Sequence, residues 1–242
     1  MDPKTIKKLL AINQEFYAGF SQEFAASRSV ADQTITCLEP VVQKWHSLVD
    51  LGCGNGRLAA YLDRKKKKRE YLGLDQEPRL IRIASKRNYR YLKASFQVTD
   101  IAYPGWSLKL KPGYYDGAVA LAVFHHLPSF NLRLRVLLEA KKLLRPGGKL
   151  VVSAWQFLDS PRLKKKVVPW REVGLTNKDV EAGDYLLSWQ RGGVGWRYCH
   201  LLSEEELKKM ITKAGFRLTK VWRAGGREGN LSLYGLLTPD II

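Results

Sequence analysis

The sequence predicts an α/β protein: a mostly parallel seven-stranded sheet with helices on both faces and a final antiparallel strand. Three observations carry that expectation. From residue 47 to residue 155, short apolar runs alternate with segments of helical period, the pattern of a parallel sheet. The run 117–123, Gly-Ala-Val-Ala-Leu-Ala-Val, is apolar at almost every position, as suits a strand buried on both faces. Near the C-terminus, strand-like runs at 216–224 and 231–237 flank a loop short enough for a hairpin, which makes them antiparallel.

Each element has its own signal. Residues 1–45 read as helical: Leu9, Leu10, Ile12 and Phe16 are followed by Phe20 and Phe24, then by Ile35, Leu38, Val41 and Val42 at the same spacing. The first strand, 47–51, ends in Gly52-Cys53-Gly54-Asn55-Gly56, and a helix starts near Arg57 and runs into the six cations of 64–69. Strand 71–75 precedes a helix from Pro78 to about residue 87, and 95–100 reads as the third strand. The helix after Ser129 stops at Arg145-Pro146-Gly147-Gly148, and 149–155 is the fifth strand. Ser203 and Glu206 form a capping box for a helix carrying Leu207, Met210, Ile211 and Ala214, which Gly215 closes.

The chain reads as a single domain: a helical segment 1–45, a core 46–155, an insertion 156–200, and a helix with two strands at 201–242. The insertion holds Pro161, Pro169, Gly192-Gly193 and tryptophans at 170, 189 and 196. A loop-rich stretch of that length is usually functional, and it is expected on the substrate side. With 45% hydrophobic and 26% charged residues the composition is globular. No apolar run nears the roughly 18–20 residues of a membrane span, and no secretory signal opens the chain. Three scattered cysteines, Cys37, Cys53 and Cys199, exclude a disulfide scaffold and fit a reducing cytoplasm with no membrane partner. The net charge of +18 points to a polyanionic partner, chiefly RNA.

The sharpest motif is Val49-Asp50-Leu51-Gly52-Cys53-Gly54-Asn55-Gly56. Glycines at alternate positions after a buried strand let the backbone turn tightly and approach a ligand. The dinucleotide fingerprint needs its third glycine where Arg57 stands, and no Gly-Lys-Ser/Thr follows for a P-loop. Asp75, ending the second strand, can accept from both ribose hydroxyls, a role shared by NAD and S-adenosylmethionine sites. Asp100, ending the third, can take an adenine amino group. Together these residues resemble the S-adenosylmethionine site of class I, Rossmann-like methyltransferases. The resemblance implies a cofactor set of Asp50, Gly52, Cys53, Gly54, Gly56, Asp75, Gln76, Asp100, Ile101 and Ala122, with NAD as the alternative.

The segment after the fourth strand reads Leu121-Ala122-Val123-Phe124-His125-His126-Leu127-Pro128. It lacks both the Pro-Pro motif of amino-group methylation and a Pro-Cys nucleophile, which leaves an acceptor that is already nucleophilic, such as a carboxylate. Adjacent histidines make poor metal ligands, with no third ligand near in sequence, so no metal is expected. Val123-Phe124-His125-His126, Trp155, Val168-Pro169-Trp170 and Arg197-Tyr198-Cys199-His200 follow in that order, after Phe24-Ala25-Ala26-Ser27-Arg28. In this the chain resembles the tRNA wobble-uridine carboxymethyl O-methyltransferases, over roughly residues 16–215.

That resemblance implies a tRNA anticodon stem-loop as partner, esterification of 5-carboxymethyluridine, and an acceptor side lined by Arg28, His125, Trp170, Arg197 and His200. It also brings a small zinc-binding activator subunit as a candidate partner, since eukaryotic relatives need one. Arg133, Lys164, Lys165, Lys166 and Arg171 are the expected RNA contacts, while 64–69 reads as a solvated loop with distal tRNA contact as the alternative. Two departures stand out: Lys164, Lys165 and Lys166 precede Val-Pro-Trp where an acid is common, and Cys199 replaces a second tyrosine. A small-molecule methyltransferase and a non-catalytic RNA-binding protein on the same fold remain the alternative readings.

Overall fold

The computed structural model describes residues 1–26, 32–190 and 192–240. Its core is a seven-stranded sheet of order β3-β2-β1-β4-β5-β10-β9. The strands are β1 (Ser47–Leu51), β2 (Arg69–Asp75), β3 (Leu92–Val98), β4 (Tyr115–Ala120), β5 (Leu144–Trp155), β9 (Phe216–Ala224) and β10 (Ser232–Pro239). The first five run parallel, and β10 is antiparallel to both β5 and β9. This is the predicted architecture, with the last strand inserted between β5 and β9.

Both faces are covered, which is why the middles of the central strands, such as 118–120 and 150–152, are apolar. On β5, Leu150, Val152 and Ala154 join one core cluster with α6 (Phe130–Leu143) and α8 (Glu204–Lys213), whereas Val151 joins another. That second cluster unites Trp45, Leu48 and Tyr71 with Ile35 of α2 (Gln33–Thr36), Val42 of α3 (Glu39–Val42) and Leu58 and Leu62 of α4 (Arg57–Arg64). Helix α5 (Pro78–Ser85) adds Leu80, Ile81 and Ala84, all buried, after its N-cap Glu77 accepts from the Arg79 N–H.

The structure moves several expected boundaries. The third strand spans 92–98, so Asp100 lies just beyond it. The fourth stops at Ala120, because Ala122 takes a left-handed φ of 57° and turns the chain into the 3-10 turn Phe124–His126. Pro146, Gly147 and Gly148 lie within β5, where they form the irregularity that shifts its pairing with β4. The N-terminal segment is one long helix, α1 (Pro3–Ala26), kinked at Phe20, followed by the short α2 and α3.

The insertion is more ordered than its sequence suggested. After α7 (Pro161–Lys164), strands β6 (Val167–Val168), β7 (Asp184–Trp189) and β8 (Gly195–His200) make a three-stranded antiparallel sheet of their own. Helix α1 lies against β8, and the Asn13 side chain bonds to both backbone groups of Tyr198: Oδ1 accepts from its N–H (2.9 Å) and Nδ2 donates to its carbonyl (3.2 Å). This docking places α1 across the carboxyl ends of the large sheet.

Candidate active site

A cleft opens where β1, β2 and β4 end. Three glycines shape it for three separate reasons. A Cβ at Gly52 would meet Val123 Cγ2 at 2.4 Å, and one at Gly56, the N-cap of α4, would meet the Tyr89 hydroxyl at 2.9 Å. Gly54 has open space around it, so its backbone is what an incoming ligand meets. All three have φ between 56° and 74°, the left-handed region that glycine enters without steric cost. The turn is pinned when the N–H groups of Gly52 and Cys53 donate to the Leu74 carbonyl at 2.7 and 2.9 Å.

Two carboxylates flank this turn. Asp75 accepts from the N–H groups of Gly54 (2.8 Å) and Glu77 (2.9 Å), yet loss of water pushes its carboxyl up to about 6. Asp50 is fully buried and its carboxyl is pushed up to about 7 by that burial. The Tyr71 hydroxyl donates to Asp50 Oδ2 at 2.5 Å, while Oδ1 has no partner among the described residues. An unmet buried acceptor facing a cleft suits a donor or cation arriving with a ligand. Asp100 accepts from the Ala102 N–H at 2.9 Å and from the Gln14 amide at 3.4 Å. That Gln14 contact puts an –NH2 where an adenine amino group was expected.

Asp50, Gly52, Cys53, Gly54, Asp75, Gln76, Asp100, Ile101 and Ala122 all line this one cleft, and Gly56 supports it from behind. Sequence reasoning missed its roof. Leu10, Asn13 and Tyr17 of α1 line the same space, as does Ile35. The available signal was Asn13, a polar residue set within the apolar stripe of Leu9 and Phe16.

The histidine pair is resolved in an order opposite to the expectation. His125 is fully buried, stacked on Trp155 (centroids 4.9 Å, planes 22° apart), and its Nδ1 accepts from the Trp155 N–H at 3.3 Å. His126 lines the cleft instead. Its Nδ1 lies 3.1 Å from the Tyr198 carbonyl, which can only accept, so that nitrogen carries the proton. Its Nε2 then accepts from the Tyr17 hydroxyl at 2.9 Å. The fold also brings Cys199 to the pair, with one donor atom from each residue within 4.8 Å of the others. Both nitrogens of His126 are engaged, and burial pushes the Cys199 thiol up to about 12, away from the thiolate that binds metals.

Beyond Trp155 lies Arg197, 2% exposed. Its guanidinium sits 4.9, 5.1 and 5.2 Å from the ring centroids of Phe16, Trp155 and Trp189. No hydrogen bond or ion pair holds it among the described residues, and its Nε is buried without a partner. Lys166 reaches the Trp189 ring at 5.4 Å, so cation–π contacts run from the basic loop through Arg197 to Trp155, beside the cleft rather than among the residues that line it.

Three other expected site residues have structural roles. Arg133, an expected RNA contact, is 1% exposed; its guanidinium donates to the Leu127 carbonyl (2.9 Å), Glu181 (3.2 Å) and Glu206 (2.7 Å), so it cannot reach RNA. His200 lies buried between Asp184 and Glu206, each at 2.7 Å, rather than on the cleft wall. Burial opposes its charge, yet the two carboxylates hold it above the ordinary histidine value. Trp170 packs with Leu9, Leu186 and Tyr198 as core. Lys164, Lys165 and Arg171 are exposed and Lys166 is half-buried against Trp189, while Arg28 lies outside the described residues.

Comparisons with known proteins bear on this geometry. Residues 12–221 match the family model for a methyltransferase domain. The chain is 25% identical over 157 residues to tRNA (carboxymethyluridine(34)-5-O)-methyltransferase ALKBH8 of Macaca fascicularis, covering 63% of this chain and 22% of that protein. It thus spans about a fifth of the length of that relative. A protein of Encephalitozoon cuniculi, named only provisionally as a methyltransferase, is 28% identical over 206 residues, covering 84% of this chain and 86% of its own. Among solved structures, an S-adenosylmethionine-dependent methyltransferase of Methanosarcina mazei aligns with a TM-score of 0.66 at 22% identity, covering 85% of this chain and 98% of that one. That likeness shows the fold. No helix among the described residues is long and apolar enough to cross a membrane.

Proposed function

We propose that this chain, which belongs to the methyltransferase-domain family, methylates a carboxylate on a tRNA anticodon nucleotide, 5-carboxymethyluridine at the wobble position. S-adenosylmethionine is the methyl donor, and when bound it supplies an electrophilic methyl group on a sulfonium. The cleft fits it: Asp75 suits ribose hydroxyls, Asp100 an adenine amino group, Gly54 a close backbone approach, and the unmet Asp50 oxygen a positive or donor group.

The carrying observation is Arg197. Among the described residues no anion meets this guanidinium, which is 2% exposed, and burying a charge in that way is costly, which supports an anionic ligand as its partner. A carboxylate is already a nucleophile, and its methylation asks for alignment and exclusion of water rather than a strong base. Arg197 holds the acceptor through one oxygen; a two-toothed clamp would withdraw charge from the attacking oxygen. His126, with its proton fixed on Nδ1, shapes the wall between acceptor and donor. Trp155 and the α1 roof exclude water. Lys164, Lys165, Lys166 and Arg171 hold the flanking phosphates.

Two partners follow from this reading. The tRNA is one. A small activator subunit would sit beside the open edge of β3, where Val98, Tyr103 and Leu108 are 55%, 73% and 81% exposed. The test is mass spectrometry of nucleosides from tRNA bearing 5-carboxymethyluridine, incubated with the protein and S-adenosylmethionine. A gain of one methyl ester on that nucleoside is expected. Transfer to a small-molecule extract but not to tRNA would refute the reading.

A further inference from the structure

The amino end of the parallel sheet, opposite the cleft just described, carries a second concavity that the proposed reaction does not use. It is lined by Gln43, Lys44, Trp45 and His46 leading into β1, and by Lys67, Lys68 and Arg69 at the start of β2. The two segments are fastened together: the Glu70 N–H donates to the His46 carbonyl (2.7 Å), and Lys67 Nζ and Arg69 Nη2 donate to the Gln43 carbonyl at 3.3 and 3.2 Å. The lining therefore holds four permanent cations and an imidazole, and no carboxylate.

Arg69 is the decisive residue. It is 6% exposed, its Nη1 has no partner among the described residues, and burial lowers its proton affinity. The nearby acids hydrogen-bond elsewhere, Glu70 with Lys93 and Tyr114, although Glu39 still acts on Arg69 through space. Glu39 pairs with Lys65 and Tyr61, and Asp116 accepts from the N–H groups of His46 and Ser47 and pairs with Arg145. A buried, half-satisfied guanidinium behind three exposed lysines is a receptor for a phosphate.

We infer that this basic concavity binds backbone phosphates of RNA, as a second contact for the same tRNA whose anticodon nucleotide enters the catalytic cleft. The inference rests on the proposed function for the identity of the RNA. The two sites lie at opposite ends of strands of five and seven residues, about 17–23 Å apart at roughly 3.3 Å per residue. A folded RNA bridges that distance, whereas a single nucleotide does not.

The experiment compares the wild-type protein with the triple variant K44A/K67A/K68A, which leaves Arg69 and Trp45 in place so that the fold is preserved. Calorimetric binding of S-adenosylmethionine, expected unchanged, reports on folding. Fluorescence anisotropy with full-length tRNA across a salt series reads the contact itself. The triple variant is expected to lose about 2 from the slope of log affinity against log salt, from roughly 0.7–0.9 per lost phosphate contact. Lysine acetylation footprinting of the wild-type protein is expected to show protection of Lys44, Lys67 and Lys68 by tRNA. A wild-type slope in the triple variant overturns the inference while leaving the proposed function standing. A reduced slope with no methyl ester formed supports the second contact and refutes the proposed reaction. Titration with inorganic phosphate alone is the remaining arm: saturable binding that the triple variant loses, with its tRNA slope intact, would assign the concavity to free phosphate and overturn the RNA assignment.

Discussion

Arg133 and Arg197 are both buried, at 1% and 2% exposure, yet their surroundings are opposite. Arg133 is met by Glu181, Glu206 and a carbonyl; Arg197 is met by three aromatic faces and no anion among the described residues. The difference separates a strut from a receptor. A charge with its counter-ions in place stabilises the fold and has nothing left to offer a ligand. A charge stabilised only by ring faces keeps its hydrogen-bond donors in reserve, and the rings supply part of the missing solvation.

Substituting each arginine breaks that comparison in a different direction. Arg197→Met should cost the most in turnover, about 2–5 kcal/mol in kcat/KM, or ~30-fold at the least, because an anionic acceptor loses its buried partner. Its urea midpoint should hold or rise, since an uncompensated buried charge has gone. A fall in stability without a fall in kcat/KM would make Arg197 another strut. Arg133→Met should do the reverse. It takes the cation from between Glu181 and Glu206, which keep the Phe130 N–H and His200, and costs about 3 kcal/mol in urea unfolding, while the remaining folded protein keeps its kcat. Next in size is Asp75→Asn, which keeps the shape but removes the charge. Calorimetry should show donor affinity ~10–100-fold weaker, from a charge-assisted hydrogen bond of about 1.5–3 kcal/mol.

The last effect expected is one of pH. Asp50 and Asp75 titrate near 7 and 6 in the folded protein, against 3.8 for the ordinary carboxyl. The folded state therefore binds more protons between those values, and stability of the donor-free protein falls as pH rises from about 4 to 7. His200, held above its ordinary 6.5, contributes in the same direction, its stabilisation being lost as pH climbs through its raised value. Thermal melts at pH 5 and pH 8 should thus show the lower Tm at pH 8, and S-adenosylmethionine should raise Tm more at pH 8 than at pH 5. Equal shifts at both would argue that the two carboxylates are not part of the donor site.

The donor half of the molecule was legible because its signals are local. Gly52, Gly54 and Gly56 sit within five residues of one another at a strand end, and Asp75 closes the next strand. The acceptor half was not. His125 and His126 are adjacent, and only the 3-10 turn decides which of them faces the cleft. Arg133 and His200 look available until Glu181, Asp184 and Glu206 are brought to them from other elements. Strands β6, β7 and β8 escaped notice because β6 is two residues long and β7 sets Leu186 and Leu187 side by side, without the alternation that would announce a strand. The α1 roof depends on a contact between Asn13 and Tyr198, far beyond any sequence window.

The placement of β10 has a consequence for biosynthesis. It is buried along most of its length and hydrogen-bonds to β5 on one side and β9 on the other, so it sits between two strands that both leave the ribosome before it. Until about residue 239 has been made, β5 presents the bare edge of Leu150, Val151 and Val152, a template for pairing with another nascent chain. Closure of the large sheet must therefore await β10, and until then a chaperone that shields β5 would guard against mispairing.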